Sequence, residues 1–286
     1  MKILIEGLSF RYTSERDVLT NINITIDRPG LYCILGPNGV GKSTLVRCMN
    51  RLLQPTSGRI LVDGRDIREY TIREISDVIG YVPISTANVF SMTVLDTILI
   101  GRHNKHRWKT TDEDMIKVNK AMRVFGLEDL AMRNSNELSA GQNQNVSLAR
   151  GLVQETKILI LDEPTANLDV RHQVFVTELF RELSAATGMI VIMISHDLNI
   201  ASRYADEIIL MAEPGTIYKI GPPNEIITPE NIEFVYGVKC NIFSDSGRPL
   251  VSLGAALSDE EMKKQKERHS NVPSNRSTIC GLNSPA

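Results

Sequence analysis

The residues with the clearest chemical capacity lie in "GPNGVGKST", Gly36 to Thr44. The spacing fits G-x-x-x-x-G-K-[ST], so Gly36, Pro37, Asn38, Gly39, Val40, Gly41, Lys42, Ser43 and Thr44 read as one phosphate-binding loop. Its glycines let the backbone fold tightly, so that successive N–H groups point at the phosphates. Lys42 would neutralise the β- and γ-phosphates of a nucleotide, and the Ser43 hydroxyl would be a Mg²⁺ ligand. A second chemical element is "KILILDEP", an apolar run ending in Asp162 and Glu163. Asp162 suits Mg²⁺, directly or through water, and Glu163 is spaced to orient or deprotonate an attacking water. Between them, "NELSAGQ" offers Ser139 as the cap of a helix whose exposed N–H groups favour anions.

Such groups need particular elements behind them. "LYCIL" is a short apolar run before the glycine-rich turn, and the stretch Ser43 to Leu53 reads as the helix after it. The run "KILILD" reads as a strand, and carboxylates at a strand's C-terminal end lie in the crevice where α/β sheets bind ligands. "MIVIMIS" and "EIILM" continue a βα rhythm, with helices after Val170 and Asp197. Near-continuous apolar strands of this kind indicate a sheet covered on both faces. The first thirty residues differ: "NINITID" alternates, with Ile22, Ile24 and Ile26 on one face of a half-exposed antiparallel sheet. From about Thr86 to Glu137, Val94, Ile98, Ile100, Ile116, Met122, Val124 and Leu127 suit helices better than strands. "DVIGYV" reads as a buried strand stopped by Pro83, and Ile84 begins a loop, where a stiff β-branched residue is unexpected.

Composition narrows the function classes. The 286 residues are 42% hydrophobic and 23% charged, with a formal net charge of -2, so no global pull toward nucleic acid or anionic lipid is expected. No apolar run approaches ~18 residues, so nothing here spans a bilayer by itself. "MKILIEGLSF" reads as a first strand and is too soon polar for a secretion signal. Cys33, Cys48, Cys240 and Cys280 are scattered without disulfide-framework spacing, which points to a reducing, cytoplasmic compartment. The spacing of His103, His106 and His172 invites a metal site, but a solvated helix or loop is the simpler reading. The charged, then Ser/Asn/Pro-rich tail from about Ser258 carries too little apolar surface to fold alone, although its first half could form a surface helix.

In this order, the pieces resemble the ATPase subunits of ABC transporters. The likeness runs from about Met1 to Val251 and rests on several motifs. "GPNGVGKST" matches Walker A; "LSAGQ" (Leu138, Ser139, Ala140, Gly141, Gln142) matches the signature usually written LSGGQ; "ILILDEP" matches Walker B. "TANLD" matches the D-loop ending at Asp169, His196 in "ISHD" the switch histidine, and Tyr12 the aromatic that stacks on adenine. "YVPIS" falls where the Q-loop belongs, and Ile84 stands in place of its glutamine. The implied fold is a P-loop NTPase (RecA-like) core with an antiparallel β subdomain and an inserted α-helical subdomain. The implied organisation is an ATPase domain over 1–255, helical from about 86 to 155, and a disordered tail over 256–286.

The resemblance also implies a function: ATP hydrolysis with Mg²⁺ as cofactor and Lys42, Glu163 and His196 as catalytic groups. Two copies would bind head to tail, each site joining Walker A of one to the signature of the other. Ala140 adds one methyl to the family's pattern, and Asn143 and Asn145 stand where basic residues are common. "FSMTVLDTILIGRHNKH" and "VYGVKCNIFSDSGRPLV" look like importers of iron-siderophore complexes, haem and vitamin B12. Such subunits work at the cytoplasmic face of the membrane, on a permease fed by an extracytoplasmic binding protein. A different class of reading is a regulatory or degenerate nucleotide-binding module with weak turnover, which Ile84 alone supports. A soluble ATPase of DNA repair or translation is a third, without the coiled-coil insertions or tandem domains usual there.

Overall fold

Alternation at the N-terminus builds an antiparallel layer. β1 (Ile3–Arg11) pairs with β2 (Asp17–Ile26), whose Ile22, Ile24 and Ile26 point inward while Asn21, Asn23 and Thr25 stay exposed. β3 (Gly30–Leu35) is buried throughout and leads through the glycine-rich loop into α1 (Lys42–Met49). β4 (Ser57–Val62) and β5 (Arg65–Asp66) complete the first sheet in the order β2-β1-β4-β5. α2 (Ile72–Val78) and β6 (Ile79–Val82) follow. The computed structural model describes residues 1–13, 17–84, 92–103, 110–258 and 260–262.

Next come α3 (Val94–Leu99), α4 (Asp112–Val124) and α5 (Ala140–Leu152), the inserted helices. The βα alternation resumes with β7 (Ile158–Leu161), α6 (Val170–Thr187), β8 (Ile190–Ile194), α7 (Leu198–Tyr204), β9 (Glu207–Ala212) and β10 (Thr216–Gly221). α8 (Pro223–Ile226), α9 (Pro229–Tyr236) and the hairpin β11 (Val238–Asp245) and β12 (Arg248–Ala256) follow. The second sheet runs β10-β9-β3-β8-β7-β6, parallel except for the antiparallel β9–β10 pair.

The apolar strands are continuous because each side of this sheet has its own core. Tyr32 and Ile34 of β3, Ile158 and Ile160 of β7, and Ile190, Ile192 and Ile194 of β8 pack with the antiparallel sheet and α1. Their neighbours Leu31, Cys33, Leu35, Leu159, Leu161, Val191 and Met193 pack with the helices. Two covered faces leave no position for a polar residue except at the strand ends, and those ends carry the chemistry. Among the described residues no helix is long and apolar enough to cross a membrane.

Two local expectations need correction. The first helix stops at Met49 rather than Leu53, because Arg51 turns left-handed (φ 57°) and the Leu52 and Leu53 amides both return to the Arg47 carbonyl. "DVIGYV" is divided: Asp77 and Val78 end α2, and only Ile79 to Val82 pair with β7. A capping box made by Thr71 and Glu74 starts that helix, and T-x-x-E was a readable signal. The stretch expected to be helical is so: Val94 and Ile98 fall in α3, Ile100 opens a 3₁₀ turn, and Ile116, Met122 and Val124 fall in α4. The tail begins with a helical turn at 260–262, where the Ser258 amide and hydroxyl bond Glu261; what was expected beyond it lies outside the described residues.

Candidate active site

The phosphate loop joins the C-terminal end of β3 to α1, and crowding demands two of its glycines, Gly36 and Gly41. A Cβ on Gly36 would sit 2.7 Å from the Met211 carbonyl of β9, and one on Gly41 (φ 104°) would meet Leu19 at 2.8 Å. Gly41 is also the N-cap of α1 and has no side chain to satisfy the first N–H groups, which therefore remain donors for an anion. Lys42 is 5% exposed; its ammonium donates to the carbonyls of Gly36 at 2.8 Å and Pro37 at 2.9 Å. Burial pulls its pKa below the ordinary lysine value, partly opposed by Glu163 and Asp162. Tyr12 is exposed beside the loop, edge-on to Phe10 with its hydroxyl 3.2 Å from the Thr44 Oγ1.

The acidic pair arrives at the end of β7. Asp162 is 2% exposed, its amide tied to the Val82 carbonyl of β6 at 2.9 Å. Oδ1 accepts from the Ser43 hydroxyl at 3.0 Å and Oδ2 from the Tyr81 phenol at 3.1 Å. Ser43 and Asp162 are hard oxygen donors held together beside a buried ammonium, and this pair could hold Mg²⁺ with water filling its remaining positions. Glu163 leaves the strand with left-handed backbone (φ 50°) and places Oε1 2.6 Å from Nε2 of His196, which follows β8. A carboxylate so held can take a proton from, or orient, a water in the crevice.

The signature residues form a site of a different kind. Leu138 is buried; Ser139 caps α5 and forms a full capping box with Gln142, while Ser139 and Ala140 are exposed. Gly141 is not crowded: an added Cβ would lie 3.5 Å from the Asn167 carbonyl. Gln144, buried on the same helix, donates to the Pro164 carbonyl just after Glu163 at 3.0 Å. Asn143 donates to the Leu138 carbonyl and Asn145 to the Phe125 carbonyl, so both bind backbone of the helical region. Asp169 caps α6 and bonds the ring of His172, which is thereby paired; His103 is exposed, and His106 lies outside the described residues. Ile84 is 38% exposed, and Ser85 lies outside the described residues.

Sequence reasoning did not assign Tyr81 or Arg47. Burial, with Asp162 next to it, pushes the Tyr81 phenol up to about 12, so it stays a donor at ordinary pH. The Arg47 guanidinium, one turn after Ser43 on α1, is held above its ordinary value by the nearby Tyr81 phenol. The strand register Tyr81↔Ile160 and Val82↔Leu161 brings Tyr81 alongside the strand ending in Asp162. No spacing in the sequence announces that pairing.

Comparison with known proteins agrees with this geometry. The ABC transporter family model matches residues 19–166. The chain is 42% identical over 251 residues to an ABC transporter ATP-binding protein of Methanocaldococcus jannaschii, covering 88% of this chain and 97% of that one. It is 39% identical over 252 residues to the ferric enterobactin transport ATP-binding protein of Escherichia coli, covering 86% and 92%. Among solved structures, an inward-facing transporter described as of the metal-chelate type superposes with a TM-score of 0.74 at 27% identity, covering 88% and 97%. A bacterial ABC transporter cassette solved as a dimer gives 0.70 at 26% identity, covering 77% and 98%.

Proposed function

Because this chain belongs to the family of ABC transporter ATP-binding subunits, we propose that its ATPase drives import of a metal-chelate cargo, of the iron-siderophore or cobalamin kind, through a partner permease. The observation that carries the reading is the convergence of Lys42, Ser43, Asp162, Glu163 and His196 at the C-terminal ends of β3, β7 and β8. The ferric enterobactin relative and the metal-chelate transporter support the cargo class. The permease would hold the subunit at the cytoplasmic face of the membrane and receive cargo from an extracytoplasmic binding protein.

In this reading Lys42 exchanges its two loop carbonyls for phosphate oxygens, and the uncapped N–H groups of α1 complete the cradle. Tyr12 is exposed to lie against the adenine ring. Ser43 and Asp162 would hold Mg²⁺, which when bound with ATP would neutralise phosphate charge. Glu163 orients the attacking water and takes its proton, while His196 keeps the Glu163 carboxylate aimed and contacts the γ-phosphate. Positioning and electrostatics supply the acceleration, with no covalent intermediate on the protein.

The exposed α5 start offers Ser139, Ala140 and Gly141 to the γ-phosphate held by a second, head-to-tail copy, with Asp169 at the same interface. The dimeric cassette supports that assembly. The test is reconstitution with the permease in liposomes. ATP-dependent accumulation of a ferric siderophore or cobalamin is expected, and ATP turnover without uptake of any metal chelate sinks the cargo assignment. Ile84 favours a second reading, a module with slow turnover: little hydrolysis both alone and with the permease would select it.

A further inference from the structure

The segment from Ile79 to Ile84 reaches the nucleotide crevice, yet Ile84 brings no donor or acceptor there. The polar group this segment does deliver is the Tyr81 phenol, three residues earlier. It meets Ser43 of α1 on one carboxylate: the Ser43 hydroxyl and the Tyr81 phenol both bond Asp162. A carboxylate is free to rotate about its Cβ–Cγ bond unless both oxygens are engaged. Here Ser43 takes Oδ1 and Tyr81 takes Oδ2, in a site where Asp162 is 2% exposed and little water competes.

We propose that Tyr81 is a positioning residue for the metal site. Its phenol fixes the Asp162 carboxylate so that one oxygen stays aimed at Ser43 and at the cation bound between them. Outer partners that orient ligating carboxylates commonly govern metal affinity, because they remove the entropy of turning the ligand into place. This inference rests on the reading that the site takes ATP with Mg²⁺. It assigns Tyr81 no contact with nucleotide or water.

The test uses purified full-length protein, Mn²⁺ as the probe cation, and electron paramagnetic resonance at saturating ATP. Tyr81→Phe keeps the ring and removes one oxygen. The Mn²⁺ concentration for half-saturation is expected to rise about ten-fold, while ATP affinity in EDTA stays at the wild-type value. In an Asp162→Asn background, Tyr81→Phe should shift that concentration by less than about two-fold, since the group it orients is already altered. Unchanged Mn²⁺ affinity in Tyr81→Phe overturns the proposal, as does a full ten-fold shift in the Asp162→Asn background. Wild-type protein that binds ATP but shows no Mn²⁺ at the site overturns the metal reading itself, and this inference with it.

Discussion

His196 and Glu163 touch, Nε2 to Oε1 at 2.6 Å, although 33 positions separate them in the chain. The contact forms because β7 and β8 are parallel neighbours whose C-terminal ends open on the same crevice. It joins a carboxylate on left-handed backbone to an imidazole at the start of the next loop. Glu163→Gln should keep ATP binding and remove turnover, a fall of about 10²–10⁴-fold for loss of a general base. His196→Ala should lower turnover as well, through loss of its hold on Glu163 and of the γ-phosphate contact proposed for it. Single-turnover hydrolysis beside equilibrium ATP binding checks both, and undiminished turnover in Glu163→Gln removes that residue's role.

Ile84 itself carries no amide at the position where the resemblance expects glutamine. A hydrogen bond to a charged centre is worth about 1.5–3 kcal/mol, although water can serve a Mg²⁺ position in its place. Ile84→Gln should therefore raise permease-stimulated hydrolysis by up to about ten-fold, with ATP affinity unchanged. Rates measured with and without permease decide it; equal rates in variant and parent mean that the site has already compensated.

Ser139 has one task in the fold and a second, separable one proposed for it. Its hydroxyl accepts from the Gln142 amide at 3.2 Å and caps α5, so Ser139→Ala should cost about 1 kcal/mol in denaturant unfolding of the nucleotide-free protein. If the same hydroxyl also meets the γ-phosphate of a second copy, ATP-driven dimerisation in a Glu163→Gln background should be lost too. Sedimentation with ATP separates the outcomes: a weaker cap with intact dimerisation leaves only the structural task.

Away from the crevice, Arg102 and Asp114 form an ion pair at 2.8 Å with side chains 4% and 2% exposed. It ties the turn after α3 to the first turn of α4, and Arg102 reaches on to the Val153 carbonyl beyond α5. Burial pushes the Asp114 carboxyl up, but the Arg102 guanidinium and the Thr111 hydroxyl and amide outweigh it and hold it at about 2. A carboxyl depressed in the folded state contributes stability that is complete above the unfolded value of 3.8 and is lost as pH falls toward about 2. Asp114→Ala should cost about 1.5–3 kcal/mol near neutral pH by leaving the buried guanidinium with Glu155 as its one remaining carboxylate partner among the described residues. It should also flatten the acid limb of the unfolding curve between those two values. Urea titrations across that range provide the measurement.

Much of the site was legible because its parts are contiguous. A phosphate loop needs glycines, a lysine and a hydroxyl within one turn of chain, and Gly36 to Thr44 hold all of them in order. Asp162 and Glu163 are polar residues after an uninterrupted apolar strand, so the crevice end of β7 could be read before any packing was known. Ile22, Ile24 and Ile26 declared a one-sided sheet by alternation, and Ser139 declared a helix start. Local stereochemistry and periodicity determine all of these, and the neighbouring chain has little power to change them. Tyr81 on Asp162, His196 on Glu163 and Arg102 on Asp114 are different in kind. Each depends on which strands or helices lie side by side and in what register, and a one-residue slip in β6 would turn Tyr81 away from Asp162. Only the tertiary structure decides such contacts, because they are set by how two covered faces of one sheet fill with side chains drawn from the whole length of the chain.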